Sequence, residues 1–218
     1  MEILYEDARL ILVIKPPGVP SQDDPTGRPS MVGLLSDERA SQVYCIHRLD
    51  TAVGGVMVYA KTKQAAGALS VLFQNSQVTK QYCAIVHGGG KGGIMEDLLY
   101  HDKRINKSFV VQTQRKGVKH AVLEYKTVNT RGELSLVNIQ LKTGRPHQIR
   151  AQFSSRGMPL LGDRKYGSPQ RCPIALWCHH LSFVHPFTEK QIIGTVPPPQ
   201  AEPWMRFKDS LENGVSNS

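Results

Sequence analysis

The sequence predicts an α+β fold: a mixed, largely antiparallel central sheet flanked by a few helices and loops. Short β-rich apolar runs recur along the chain and are separated by turns rich in proline and glycine. Two segments, HAVLEYKTV and GELSLVNIQLK, alternate apolar and polar residues around Asn-Thr-Arg-Gly, which is typical of a hairpin. Because few segments show helical spacing, strands are expected to dominate.

The first part of the chain predicts two strands, a helix and a third strand. Residues 10–14 form an apolar run that ends at Lys-Pro-Pro-Gly, and residues 21–29 form a polar loop. GVMVYA at 55–60 predicts an interior strand, after which Thr62 is expected to cap the helix TKQAAGALSVLFQ. TKQYCAIVH at 79–87 predicts a strand that leads into the glycine-rich connector GGGKGG.

The remaining strands follow the same rules. Weaker strands are expected around 94–100 and 108–112, before the hairpin. Late strands are expected at 175–184 and 191–196.

The segment TGRPHQIRAQFSSRG predicts a helix between the hairpin and the late strands. Thr143 is expected to cap it, Pro146 to lie in its first turn and Gly157 to mark its exit. Helical spacing places His147 and Arg150 on a face other than the apolar one. An arginine that points inward needs an anion, so we expect Arg150 to pair with an anionic group in the interior or in a cleft.

The chain shows no internal repeat and no convincing linker. It is therefore expected to form a single domain over residues 1–218, with a core supported by its 40% hydrophobic content. A polar tail at about 212–218 is expected to be flexible. Trp204 and Phe207, just before this tail, are expected to pack on the body of the protein.

The charge balance favours a polyanionic partner. Lys and Arg total 27 against 18 Asp and Glu, a formal net charge of +9. Basic residues also cluster in sequence, at Arg145, Arg150, Arg156, Arg164, Lys165 and Arg171. Arginine forks and helix N-termini both suit phosphate groups.

The cysteines and the N-terminus indicate an intracellular protein. The four cysteines show neither CxxC spacing nor the density of a disulfide framework, so reduced thiols are expected. No basic n-region precedes a signal-like apolar run, and no stretch is long enough to cross a bilayer. A cytoplasmic monomer without membrane association is the expectation.

Asp50 is the first candidate for chemistry. It follows His47 and Arg48 in CIHRLDTAVGGVMVYAK, in a loop that leads into a buried strand. A loop positioned by a sheet is a common place for catalysis. An aspartate after a turn also serves as a cap or as the partner of an arginine, and the residues alone leave both readings open.

Three motifs together resemble the RluA-type family of RNA pseudouridine synthases: HRLDTAVGGVMVYAK, TGRPHQIR and GMPLLGDRKYG. Three further segments agree in the family's order, namely EDARLILVIKPPG, KQYCAIVHG and ALWCHHLSFVHP. The resemblance covers about residues 1–196 and implies the pseudouridine-synthase catalytic fold. It also implies a chain without the small N-terminal RNA-binding module that many relatives carry.

The resemblance assigns roles to matching positions. It implies that Asp50 is the nucleophile, that Tyr82 stacks under the target base and that Arg150 is the ion-pair partner of the aspartate. Leu176 falls at the apolar position that floors the uracil pocket, and Lys80 at a frequent basic position.

The substrate implied is a structured RNA, either ribosomal or transfer RNA, without a metal or a small-molecule cofactor. His47, Arg48, Arg145 and His147 are expected to bind the RNA or its base. A base inside a duplex is unreachable, so Arg48 is expected to fill the stack that a flipped nucleotide vacates.

The chain departs from the family pattern at several positions. Val53, Gly54 and Gly55 stand where Thr-Ser-Gly is common, and Gln152 and Trp177 each replace a usual histidine. The added glycine is expected to loosen the loop around the aspartate.

Two rival functions stay open. One is a basic RNA-binding protein without catalysis, in which Asp50 orients Arg48 or Arg150. The other is a metal-dependent nuclease that uses Asp50, Asp163 and a histidine; flanking arginines disfavour it because such sites gather carboxylates. A zinc site at Cys178, His179 and His180 is disfavoured because no second ligand pair matches.

Overall fold

The computed structural model describes residues 1–25 and 27–214. In chain order the strands and helices are β1 (Ile3–Glu6), β2 (Leu10–Lys15), α1 (Met31–Arg39), β3 (Tyr44–Cys45), β4 (Gly54–Ala60), α2 (Lys63–Gln74), β5 (Thr79–His87), β6 (Gly92–Asp102), β7 (Lys107–Val111), β8 (Val118–Arg131), β9 (Leu134–Leu141), α3 (Gln148–Ser154), β10 (Leu176–Val184), β11 (Gln191–Thr195) and α4 (Lys208–Gly214), with short 3-10 helices at Arg164–Tyr166 and Trp204–Phe207.

The chain divides into two compact units. The first contains Met1–Lys80 and Trp177–Val196, and the second contains Gln81–Leu176 and the described residues of Pro197–Ser218. The chain passes from one unit to the other inside β5 and inside β10. The single domain over residues 1–218 stays a prediction.

The strands of the first unit run in the order β1-β2-β4-β10, with β3 beside β4 and β11 beside β10. The β4–β10 pair is parallel, whereas β1–β2, β2–β4, β3–β4 and β10–β11 are antiparallel. The predicted mixed and largely antiparallel sheet is confirmed. Alternate residues of β2, β4 and β10 meet in one apolar cluster that includes Leu12, Val58 and Leu181.

Helix α2 covers this cluster, as its sequence predicts. Its N-cap is Thr62, whose side chain accepts a hydrogen bond from the Ala65 N–H at 3.1 Å. Ala65 and Leu69, one turn apart, are fully buried.

The second unit contains an antiparallel sheet in the order β5-β9-β8-β6-β7. The predicted hairpin is β8–β9, and its pairing continues to Arg131 and Leu134. Strand β8 therefore extends closer to the turn than the alternation predicts, whereas β9 begins two residues later than predicted.

Helix α3 begins later than its sequence indicates. Its N-cap is His147, with φ of 51° and no capping side chain. The Thr143 hydroxyl instead donates to Gln148 Oε1 at 2.7 Å and accepts from the Val122 N–H of β8 at 2.9 Å. The prediction that Thr143 caps the helix and Pro146 lies in its first turn is wrong, because residues 143–147 form a turn bonded to β8.

The end of α3 agrees with its prediction. Gly157 has φ of 72°, its N–H donates to the Ser154 carbonyl, and the Met158 N–H donates to the Phe153 carbonyl. This is a Schellman motif, in which glycine takes the left-handed position without steric cost.

The C-terminal segment packs on the second unit. Trp204 and Phe207 are buried, as predicted, and Asn129 of β8 donates to the Ser210 hydroxyl at 2.7 Å. Residues 212–214 of the predicted flexible tail belong to α4, and residues 215–218 lie outside the described residues.

Two observations bear on compartment and membrane association. All four cysteines are free thiols. Within residues 1–25 and 27–214, helices lack the length and apolarity that crossing a bilayer requires.

His179 in β10 is expected to lower the stability of the first unit. It is 1% exposed, and among the described residues neither ring nitrogen has a hydrogen-bond partner. Burial, and to a smaller extent His180, lowers its pKa to about 4. Since the unfolded ring titrates near 6.5, the unfolded state binds more protons, and stability falls as the pH drops from about 6.5 to about 4.

We therefore expect His179→Leu to raise the free energy of unfolding at pH 7 by about 1 kcal/mol. In wild type, His179 should lower the free energy of unfolding by about 3 kcal/mol between pH 7 and pH 4, and the variant should lack this loss. Denaturant unfolding from pH 4 to 7 measures the difference. His180→Leu is the matched control, because its ring nitrogens bond to the Thr195 and Ser182 hydroxyls and their loss should destabilise. A His179→Leu protein that is less stable at pH 7 would contradict the expectation.

Candidate active site

The loop that carries Asp50 connects β3 to β4 and is held by its neighbours. Leu49 is buried; its N–H donates to Ser21 Oγ at 3.1 Å, and Ser21 Oγ donates to the Leu49 carbonyl at 2.8 Å. The Tyr59 hydroxyl donates to the Ser21 carbonyl at 3.0 Å, which fixes the serine. Behind Asp50, the Val53 N–H donates to its carbonyl at 2.9 Å and closes a turn.

Lys15 holds the other side of the loop. It is fully buried, and its Nζ donates to the carbonyl oxygens of Pro16, Val19 and Thr51 at 3.0, 2.7 and 3.2 Å. Burial lowers its pKa to about 8, and the negative charge of Asp50 acts in the opposite direction. Lys15 therefore ties the KPPG turn to the residue after Asp50 and places a cation near its carboxylate.

Lys15 belongs to the site although none of the sequence motifs indicates it. The only signal was a lysine at the end of an otherwise apolar strand, whose ammonium group must find acceptors if it is buried.

His47 fastens the same loop to β4. Its Nε2 accepts from the Val58 N–H at 3.1 Å, and its ring stacks on Phe73 with centroids 4.6 Å apart. Burial, with a smaller effect of the Lys80 charge, lowers its pKa to about 3, so the ring is neutral. Lys80 Nζ lies 5.6 Å from the Phe73 centroid. The RNA-binding roles of His47 and Lys80 stay predictions.

Gly54 and Trp177, two departures from the pattern of the family that the sequence resembles, are in contact with each other. A Cβ on Gly54 would lie 2.3 Å from Cζ3 of Trp177, closer than real contacts allow. The two residues are neighbours in the β4–β10 ladder, and the indole N–H donates to the Val196 carbonyl at 3.0 Å. The expectation that this glycine loosens the loop is wrong, because Gly54 is a buried strand residue covered by the indole.

In the second unit, Arg150 projects from α3 and forms a buried bidentate ion pair with Asp163. Its Nε and Nη2 donate to the two carboxylate oxygens at 2.7 and 2.8 Å, and the carboxylate is almost fully buried. The prediction that an inward Arg150 needs an anion is confirmed. Its pairing with Asp50 stays a prediction.

Tyr166 completes the surroundings of Arg150. The guanidinium carbon lies 4.9 Å from the centroid of the buried ring. The hydroxyl accepts from the Ser108 N–H at 2.7 Å and hydrogen-bonds with His147 Nδ1 at 2.9 Å. The GDRKYG motif contains this tyrosine, but its spacing from Asp163 does not reveal that both contact Arg150.

Arg145 and His147 lie in the turn before α3 and are both half-buried. Arg145 Nε donates to the His120 carbonyl at 2.9 Å, and its N–H donates to Gln148 Oε1 at 3.0 Å. Their predicted contacts with RNA stay predictions.

Tyr82 and Leu176 are buried apolar residues on neighbouring segments of the second unit. Tyr82 lies in β5 opposite Ile139, and the two predicted base-contacting residues are 6% and 5% exposed. The Ile85 N–H donates to the Ala175 carbonyl at 3.1 Å, which places the chain before Leu176 beside β5.

The predicted site residues thus divide between the units. The first unit contains His47, Arg48, Asp50 and Lys80, and the second contains Tyr82, Arg145, His147, Arg150 and Leu176. Among the described residues, groups of three or more His, Cys, Asp or Glu that could hold a metal ion are absent. Asp163, a ligand of the rival nuclease site, has both carboxylate oxygens bonded to Arg150.

Comparison with known proteins identifies the family of the chain. The family model described as RNA pseudouridylate synthase matches residues 9–155, which include Asp50, Tyr82 and Arg150. The chain is 34% identical over 222 residues to "tRNA pseudouridine synthase C" of Pasteurella multocida, covering 88% of this chain and 89% of the relative. It is 30% identical over 217 residues to "Ribosomal large subunit pseudouridine synthase D" of Zymomonas mobilis, covering 88% and 67%.

The fold also matches a solved structure. Human RNA Pseudouridylate Synthase Domain Containing 1 superposes with a TM-score of 0.78 at 19% identity, covering 100% of this chain and 95% of the human one. The motifs, the fold and the relatives agree with one another. The chain belongs to the RNA pseudouridylate synthase family, in its RluA-type branch.

Proposed function

We propose that this RNA pseudouridine synthase isomerises selected uridines of ribosomal or transfer RNA with Asp50 as its nucleophile. The observation that carries the proposal is the anchored Asp50 loop, in which Leu49 is bonded to Ser21 and Thr51 to Lys15. A half-buried carboxylate held on both sides suits attack on a fixed carbon.

The reaction breaks the bond between the ribose anomeric carbon and uracil N1 and forms a bond from the same carbon to uracil C5. Asp50 attacks the anomeric carbon or assists glycal formation, and both routes need an ionised carboxylate. The Lys15 ammonium group stabilises that charge. The detached uracil turns over an apolar surface, for which buried Tyr82 and Leu176 are suited.

Arg150 and Tyr82 complete the proposed catalytic set. The Arg150 guanidinium is held rigidly by Asp163 and the Tyr166 ring, which suits a group that must present a fixed positive charge. When uracil C5 loses its proton after recoupling, the Tyr82 hydroxyl is the proposed acceptor or relay.

The target class rests on the net charge and the relatives. A net charge of +9 suits RNA, and the relatives are named for transfer RNA and for the large ribosomal subunit. Four free cysteines support a cytoplasmic protein. A monomer that works without a metal or small-molecule cofactor completes the proposal.

The test is to incubate the protein, with and without EDTA, with uridine-labelled ribosomal and transfer RNA transcripts. Pseudouridine that forms in one of them despite EDTA supports the proposal. RNA that is bound but unchanged supports the non-catalytic rival. RNA that is cleaved only when EDTA is absent supports the nuclease.

Arg48 is proposed to fill the stack that the flipped uridine leaves. Its side chain is exposed beside the anchored loop. We expect Arg48→Ala to reduce kcat/KM on a structured RNA by about tenfold, which is about 1.4 kcal/mol and a part of the cost of unstacking, and much less on an unstructured oligonucleotide. Lys63→Ala, at an exposed lysine of α2, is the control. Equal losses on both substrates would count against the role.

A further inference from the structure

The turn between β6 and β7 exposes a basic and apolar tip. It comprises Lys103, Arg104, Ile105 and Asn106, between the paired residues Asp102 and Lys107. The Arg104 side chain is 90% exposed, and Ile105 is 54% exposed. More than half of the surface of this aliphatic side chain is therefore left uncovered by its own fold.

The turn has a fixed shape. Asp102 Oδ1 accepts from the Arg104 N–H at 2.9 Å, and Asn106 takes a left-handed conformation with φ of 47°. Lys165 Nζ donates to the Asn106 carbonyl at 2.7 Å. Because the backbone is braced, the exposed side chains have a defined origin and direction.

Ser108, which follows the turn in β7, is hydrogen-bonded to residues near Arg150. The Ser108 N–H donates to the Tyr166 hydroxyl at 2.7 Å, and Ser108 Oγ donates to the Pro146 carbonyl at 2.6 Å. Tyr166 in turn lies under the Arg150 guanidinium. The turn is therefore a rigid extension of the segment that carries Arg150.

The charge of the turn is complementary to a polyanion. Lys103, Arg104, Lys107 and Lys165 outnumber Asp102, which pairs with Arg104 at 3.3 Å on the surface. The Asp102 side chain is only 16% exposed, but the Arg104 side chain is 90% exposed, so solvent weakens the pair and the guanidinium exchanges readily to a phosphate. A strand of RNA offers phosphates alternating with apolar base faces, which matches basic residues beside an exposed isoleucine.

We propose that the β6–β7 turn is an arm that binds the substrate RNA outside the uracil pocket, an inference that rests on the proposed function. Lys103 and Arg104 contact backbone phosphates, and Ile105 packs against a base or ribose of the same strand. The arm thereby selects RNA that extends beyond the target uridine.

The charged part of the arm is tested by the salt dependence of RNA binding. The variant Lys103→Ala/Arg104→Ala is compared with wild type on a ribosomal or transfer RNA transcript that wild type binds. Loss of two phosphate contacts should reduce the slope of log K against log salt by about 1.5 and weaken binding about tenfold at low salt. Lys63→Ala/Lys190→Ala removes two exposed lysines of the first unit and should leave the slope unchanged.

The apolar part of the arm is tested by Ile105→Ser. Its Kd should rise about threefold to tenfold with an unchanged salt slope. Thermal unfolding checks that each variant folds as wild type does. If both arm variants bind RNA with the Kd and the salt slope of wild type, the inference is overturned, even if wild type makes pseudouridine. Absence of pseudouridine from wild type, with the expected pattern of binding, would overturn the proposed function and leave the arm standing.

Discussion

We expect Asp50→Asn to abolish pseudouridine formation while RNA affinity stays within a few-fold of wild type. The amide keeps the size of the carboxylate but cannot attack the anomeric carbon, so the rate should fall by about 10⁴-fold or more. The loop should keep its position, because Ser21 and Lys15 bond to backbone groups of Leu49 and Thr51. Product yield from uridine-labelled RNA and Kd from a binding titration measure the two effects separately.

The matched control is Asp37→Asn, at an exposed aspartate of α1 in the same unit. It changes the charge equally and should leave both rate and affinity unchanged. An Asp50→Asn enzyme with full turnover would remove the nucleophile assignment. A variant that loses RNA binding along with turnover would instead support a role for Asp50 in binding, through the orientation of Arg48 or Arg150.

The second large effect is expected from Asp163→Asn. The change leaves the Arg150 guanidinium in a buried position without its carboxylate, and breaking such a pair costs about 3–5 kcal/mol of unfolding free energy. Because the guanidinium also loses its fixed orientation, kcat should fall by about a hundredfold. Urea unfolding measures the change in stability. Single-turnover kinetics, on an unmodified transcript of an RNA that wild type converts, measures the change in rate.

The pair of Arg131 and Asp209 serves as the control for this experiment. Its carboxylate side chain is 76% exposed, so Asp209→Asn should cost less than about 1 kcal/mol and leave the rate unchanged. Combining Asp163→Asn with Arg150→Met should recover part of the stability, because no charge is left buried, but none of the activity. An Asp163→Asn protein as stable as wild type would contradict the structural role of the pair.

Local patterns account for the parts of the fold that the sequence predicts well. The apolar run of β2, the Thr62 cap of α2 and the alternation of β8 and β9 each depend on residues close in the chain. The start of α3 depends on bonds between Thr143 and Val122, 21 residues apart. A threonine before Gly-Arg-Pro looks like a cap unless that distant partner is known.

The residues that position Asp50 and Arg150 are hard to predict for the same reason. The motifs indicate Asp50 and Arg150, whereas the positions of Lys15 and Tyr166 follow from partners far away in sequence. Lys15 bonds to Thr51 across 36 residues, and Tyr166 bonds to Ser108 across 58. From the sequence Asp163 is a candidate metal ligand only, because its spacing does not show that both carboxylate oxygens face a guanidinium.

The contact between Gly54 and Trp177 constrains the order in which substitutions can accumulate in this protein. A serine at position 54 is sterically excluded while the indole is present, and a smaller residue at position 177 opens a void beside the glycine. A Cβ at position 54 would also lie 2.9 Å from Cδ of Pro17, so the neighbours on two sides would have to move. Replacing Gly54 by a larger residue therefore requires compensating changes at position 177 and in the KPPG turn, and these sites cannot vary independently in this chain.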